Sequence, residues 1–297
     1  MKLKILFLTL ILFPCCIQAF SQSFREQFKS SQNDTAAQSK VLINWNKANP
    51  DDPELYVAYY NFYVKKSMRE MINLERTQKG EKSFEIKDPK TGKVVGYMND
   101  GATYDLALVE KGFHYIDIGI EKFPSRLDMR FGKVYILGKI EDYQRFTQEI
   151  IKTIDYSQKI NLKWTWTDNK PVDDPKKFML SAEQDYVMQL YNAGDSQLNN
   201  MKAIAETVLK YYPDDVKNLS NLAITYLIQK DYSNALTPLL KAEKIAPTDY
   251  IVLNNIAYCY DAKGDKGNAI KYYELTEKYG DDRSKESAKK KLAELKK

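Results

Sequence analysis

The sequence predicts an all-α superhelix of helical hairpins, an α-solenoid, carrying one small β-hairpin insertion. Three observations predict it: a 34-residue self-similarity in the C-terminal half, aspartate pairs set ahead of apolar-periodic runs, and two short β-patterned runs within 83–98. At 297 residues the chain exceeds the usual prior of about 100–200 residues per compact domain, and a stacked array removes that difficulty. Apolar residues at 43% and charged residues at 29% are the balance of a chain that packs a core, not of a disordered one.

The self-similarity appears when residues 215–248 are laid on 249–282 without a gap, which leaves ten positions identical. Among them are Leu219 with Leu253, Ala223 with Ala257, Tyr226 with Tyr260, Asp231 with Asp265 and Ala235 with Ala269. A large apolar residue, a small residue four later, an aromatic three after that and a second small residue on the returning helix let two antiparallel helices touch. Pro247 then stops the second helix, and Asp281 at the equivalent place of the next copy marks the end of the array. A degenerate earlier copy, with helices over 176–193 and 196–212, ends at Pro213. Upstream, apolar spacing and proline position predict further helices over Leu55–Met71, Leu106–Lys122, Leu127–Leu137 and Ile140–Ser157.

This pattern resembles the tetratricopeptide (TPR) repeat, of an exported bacterial type. The resemblance implies a protein- or peptide-binding scaffold whose first helices line a groove. An asparagine there bonds a peptide backbone or carboxylate, and Asn221 and Asn255 match that position, with Tyr258 beside them on the second copy. The basic partners of a carboxylate clamp are missing, since Ser220, Ile224 and Ile251 stand at the neighbouring groove positions.

Asp51-Asp52, Asp173-Asp174, Asp214-Asp215 and Asp281-Asp282 each precede a helical run, where an aspartate caps orphan backbone N–H groups and meets the positive end of the helix dipole. None has the spacing of a calcium loop. The run 83–98, with Phe84-Glu85-Ile86 and Val94-Val95-Gly96-Tyr97 around Asp88-Pro89-Lys90-Thr91-Gly92, reads as a hairpin: a surface insertion, or an arm that adds a strand to a partner. In 160–175, Trp164 and Trp166 alternate along an extended segment, either sealing the helices or offering a stacking platform to a sugar or peptide. Tyr56, Tyr59, Tyr60 and Tyr63 form a helical stripe expected to fill the core. Residues 284–297 form a polar helix suited to cap the last exposed face.

The first residues read as a secretory leader, with Lys2 and Lys4 ahead of an apolar run from Ile5 to Phe13. That run is shorter than the roughly 20 residues a membrane span needs, so no transmembrane span is expected in the mature chain. Ala19 and Ser21 place the mature start at Gln22; the rival is a lipoprotein anchored at Cys15 or Cys16. The expected location is therefore periplasmic or secreted, with a membrane-anchored lipoprotein as the alternative. Without Lys2 and Lys4, 43 basic residues face 40 acidic ones, too even a balance to attract nucleic acid. Cys259 would be the one remaining thiol, expected to be buried.

His114 is the only histidine, which excludes any histidine-pair metal site, and there is no nucleophile elbow, phosphate loop or dinucleotide fingerprint. No cofactor and no catalysis are expected. Carboxylate-only hydrolysis stays open, because pairing of Asp and Glu is spatial. The domain plan is a signal peptide over 1–21, a degenerate helical-repeat region over 22–159 with the hairpin at 83–98, a linker at 160–175, TPR-like repeats over 176–282 and a capping helix over 283–297.

Overall fold

The computed structural model describes residues 23–78 and 83–297. The expected leader, the start at Gln22 and both lipidation cysteines lie outside these residues. The fold is all-α and TPR-like with a β insertion. Helix α1 covers 23–30, followed by α2 (Thr35–Ala48), α3 (Pro53–Ser67), strands β1 (Met68–Glu75), β2 (Ser83–Lys87) and β3 (Val94–Tyr104), then α4 (Leu106–Lys122), α5 (Leu127–Lys139) and α6 (Tyr143–Lys159). A two-residue ladder, β4 (Thr165–Trp166) with β5 (Lys170–Pro171), leads to α7 (Pro175–Asn192), α8 (Leu198–Tyr211), α9 (Val216–Ile228), α10 (Tyr232–Ile245), α11 (Tyr250–Ala262), α12 (Lys266–Tyr279) and α13 (Asp282–Leu295). Two compact units divide the chain: residues up to Lys133 with Thr165–Pro171, and Val134–Trp164 with Val172–Lys297.

The second unit holds the clear repeats. Helices α9 and α10 pack as one hairpin, α11 and α12 as the next, and α13 closes on α12. Ala223, Ala235, Ala257 and Ala269 are wholly buried in one core with Leu219, Leu239, Leu253 and Ile256. Each small residue sits where a longer one would hold the helices apart. Ala257→Leu is therefore expected to cost about 1–3 kcal/mol by overpacking, read as a lowered urea midpoint; an unchanged midpoint would mean the helices do not meet there.

Two further identities, Asp231 with Asp265 and Asn234 with Asn268, form caps. Asp231 accepts from the Asn234 N–H at 3.2 Å while the Asn234 amide donates back at 2.6 Å, and Asp265 with Asn268 repeats this at 3.1 and 2.7 Å. Between the helices, Gly264 adopts a positive φ of 76°, and its counterpart 34 residues earlier is Lys230 at 60°, an L-residue held in a conformation glycine prefers. Asp281, standing where Pro247 stands in the previous copy, caps α13 through the Ser284 N–H at 2.8 Å. Cys259 is buried, and burial pushes its thiol up to about 11.

In the first unit, α2 and α3 close on a core of Leu42, Trp45, Leu55, Ala58, Tyr59 and Phe62. Asp52 serves twice: one oxygen caps the Glu54 N–H at 3.0 Å and the other accepts from the Trp45 indole at 2.9 Å. Helices α3 and α4 form an antiparallel pair, and a Cβ on Gly119 would lie 2.9 Å from the Tyr56 Cβ, so only glycine allows this approach. The tyrosine stripe is largely core, as expected: Tyr56, Tyr59 and Tyr60 are buried, and Tyr59 stacks on Tyr115 at 4.1 Å.

The β insertion is larger than the expected hairpin. Helix α3 stops at Ser67 rather than Met71, and Met68–Glu75 pairs antiparallel with β3, giving a three-stranded sheet in the order β1-β3-β2. This sheet stands where a repeat would have its interhelical turn. At its base the Asp105 N–H donates to the Ser67 carbonyl at 2.9 Å, joining the end of α3 to the start of α4.

Candidate partner-binding surfaces

The first helices of the second unit carry one exposed face. On α7, Phe178, Ser181, Asp185 and Met188 recur at helical spacing and are exposed. On α9, Lys217, Ser220, Asn221 and Ile224 are exposed or half-buried, while Asn218, Leu219 and Ala223 point inward. Two bonds join these helices: Asn221 Nδ2 donates to Gln184 Oε1 at 3.0 Å and Asn218 Nδ2 donates to Glu183 Oε2 at 3.1 Å. On α11 the equivalent positions hold Ile251 and Tyr258, both exposed, with Asn254 and Asn255 half-buried. The surface is apolar and hydrogen-bonding, with Lys217 and Asp185 as its charges.

Of the residues expected to bind, Asn221 already spends an amide proton on Gln184, leaving its oxygen and second N–H for a ligand. Asn255 and Tyr258 lie on one helix, and the Tyr258 ring meets Tyr232 edge-on at 5.9 Å. The indole reading needs correction. Trp164 is 1% exposed and packed against Tyr156 at 5.9 Å, so its ring has no face to offer a sugar. Trp166 is half-buried against Phe131 at 6.2 Å. His114 is exposed on α4.

The carboxylates that gather are held by arginines. Arg126, 0% exposed, donates through Nε and Nη2 to both oxygens of Asp128 at 2.8 and 2.6 Å and pairs with Glu54 at 2.8 Å. Glu54 also accepts from the Asp168 N–H at 2.9 Å, and Arg25 pairs with Asp168 at 2.6 Å. The bond from Arg25 holds the Asp168 carboxyl below the usual range. Among the described residues no group of three or more His, Cys, Asp or Glu could hold a metal, and no helix is long and apolar enough to cross a membrane.

Sequence reasoning missed a second surface, the sheet. Pairing puts Ile72, Leu74, Met98, Phe84 and Ile86 on one side and Asn73, Glu75, Asn99 and Ser83 on the other. The polar side is closed at its centre, though Met71 and Val95 on it are exposed: Asn99 is buried, accepts from Ser83 at 2.7 Å and donates to Glu75 and to the Thr77 carbonyl, both at 3.0 Å. The apolar side is open, with Leu74 at 71%, Phe84 at 66% and Ile72 at 66% exposure. The first half of β1, Met68–Met71, continues the apolar spacing of a helix over Leu55–Met71, and only Ile72–Glu75 alternates, which is too short a run to mark a strand.

No family model matches the chain, and no curated protein matches its sequence. Among solved structures it is similar to the C-terminal part of a TPR repeat-containing protein from Cytophaga hutchinsonii, at 16% identity and a TM-score of 0.43, over 87% of this chain and 78% of that one. It is also similar to the TPR2AB domain of yeast Sti1 in its pHSP90 complex, at 12% identity and a TM-score of 0.30, over 94% of this chain and 97% of that one.

Proposed function

We propose that this protein is a non-catalytic scaffold, exported to the periplasm or beyond, that binds a protein or peptide along the α7–α9–α11 face. The observation that supports it is the exposure of Phe178, Met188, Ile251 and Tyr258 on the first helices of otherwise close-packed hairpins. Large apolar side chains in water on one face are a cost that a bound partner relieves. The amides of Asn221, Asn254 and Asn255 between them supply the hydrogen bonds an extended peptide backbone offers and needs.

The test is capture from an envelope or secreted fraction by wild-type protein and by the Ile251→Asp, Tyr258→Asp double variant. Removal of an aromatic anchor costs about 1–2 kcal/mol or more, so at least a tenfold loss of affinity is expected with unchanged circular dichroism. Equal capture by the variant would sink the proposal. Export predicts a mature N-terminus at Gln22; a fatty-acid label on Cys15 or Cys16 would replace that with the anchored alternative.

A further inference from the structure

The open side of the β-sheet belongs to no helix-groove function, and its charges say what covers it. Leu74, Met98 and Phe84 stand in one cross-strand row, because Leu74 pairs with Met98 and Phe84 pairs with Met98 from the other side. Ile72 flanks this row on the side toward the helices and Ile86 on the side away from them. Beyond Ile72, at the base, Glu70 and Asp100 lie on the same side of the sheet and are exposed. At the opposite end the turn between β2 and β3 is closed by Asp88, which accepts from the Lys90 and Thr91 N–H groups at 2.8 Å each. That turn leaves Lys90 and Lys93 exposed.

The apolar row is therefore bracketed by two carboxylates at its base and two ammonium groups at its tip. We infer that a second copy of this chain covers it, open side to open side, with the strands of the two sheets running in opposite directions. In that arrangement the tip lysines of each copy lie over the base carboxylates of the other, and both contacts form at once because the interface is two-fold. The opposite orientation would set Glu70 and Asp100 against their own copies, so repulsion selects the reversed one. Three strands about 4.8 Å apart and roughly five residues of each make a small face, below the roughly 800 Å² per partner of a standard interface, which predicts a weak, concentration-dependent dimer rather than an obligate one.

Sedimentation of the purified protein up to about 100 µM is expected to show a monomer–dimer equilibrium that weakens with salt. Phe84→Asp is expected to raise the dissociation constant by at least about tenfold, and as an exposed position it should leave the circular dichroism and unfolding midpoint unchanged. Glu70→Lys with Asp100→Lys should weaken the dimer likewise, and adding Lys90→Glu with Lys93→Glu should restore it. Zero-length carbodiimide coupling should join Lys90 or Lys93 of one copy to Glu70 or Asp100 of the other. A protein that stays monomeric at about 100 µM overturns the inference and leaves the face to a different protein. So does a dimer indifferent to Phe84→Asp, since edge-to-edge strand pairing uses the backbone and would survive that change.

Discussion

Replacing Arg126 by methionine is expected to destabilise the first unit by about 3–5 kcal/mol, seen as a large fall in the urea midpoint. The side chain is fully enclosed, and its guanidinium neutralises Glu54 and Asp128 together. Methionine keeps much of the volume but leaves two poorly hydrated carboxylates facing one another. The cost comes from those orphaned charges and not from lost packing. Arg126→Met combined with Glu54→Gln and Asp128→Asn should therefore recover a substantial part of the loss. If the triple variant is no more stable than Arg126→Met alone, the charge argument fails. The same cluster predicts acid sensitivity: the Asp168 pKa is lowered in the fold by Arg25, so its contribution is present above the unfolded value and is lost as pH falls through the folded one.

Glu183→Gln is expected to stabilise the second unit by an amount that grows as pH rises from about 4.5 to about 7 and levels off above that. Glu183 is 2% exposed, and burial raises its carboxyl to about 7 despite bonds from Asn218 and Gln184. Glu183 Oε1 and Asn218 Oδ1 are both buried acceptors without a donor. Burial disfavours the charged carboxylate more than the bonds from Asn218 and Gln184 favour it, which is why the neutral form is preferred. Below the unfolded pKa the carboxyl is neutral in both states and the substitution should change little. Between about 4.5 and 7 the unfolded chain ionises while the folded one keeps its proton, so the wild type loses stability over that range, and above 7 the loss levels off. By pH 8 glutamine, which is always neutral and carries its own donor, should be ahead by up to about 3 kcal/mol. A difference between the two proteins that is equal at pH 5 and pH 8 would show that Glu183 does not titrate in this range.

Much of the helical plan was legible because its signals are local. An aspartate caps the N–H groups two or three residues ahead of it, so Asp52, Asp174, Asp215 and Asp281 could be read as helix starts from the chain alone, and each accepts such a bond. Six of the ten identities of the two copies were equally readable, being the buried alanines and leucine of a contact made twice, together with its caps. Strand β1 was not readable. Met68–Met71 continues an apolar helical spacing, and what makes it a strand is the pairing Met71↔Gly101 and Met68↔Tyr104, 30 and 36 residues away. The candidate residues divide the same way: the exposure of Tyr258 follows from its place in the repeat, whereas the burial of Trp164 depends on a Tyr156 ring that alternation along 160–175 says nothing about.

By itself the sequence determined most of the helices of the second unit, the pairing of its two clear hairpins and the small residues on which they rest, because a repeated interface must repeat its side chains. Only the tertiary structure decided which charges are enclosed, which indole is hidden and which side of the sheet is bare. Arg126 meets Glu54, Glu183 meets Asn218, and Leu74 meets Met98 across separations that no local spacing encodes. Burial and pairing at such range are properties of the folded chain, set by what else must fit in the same space.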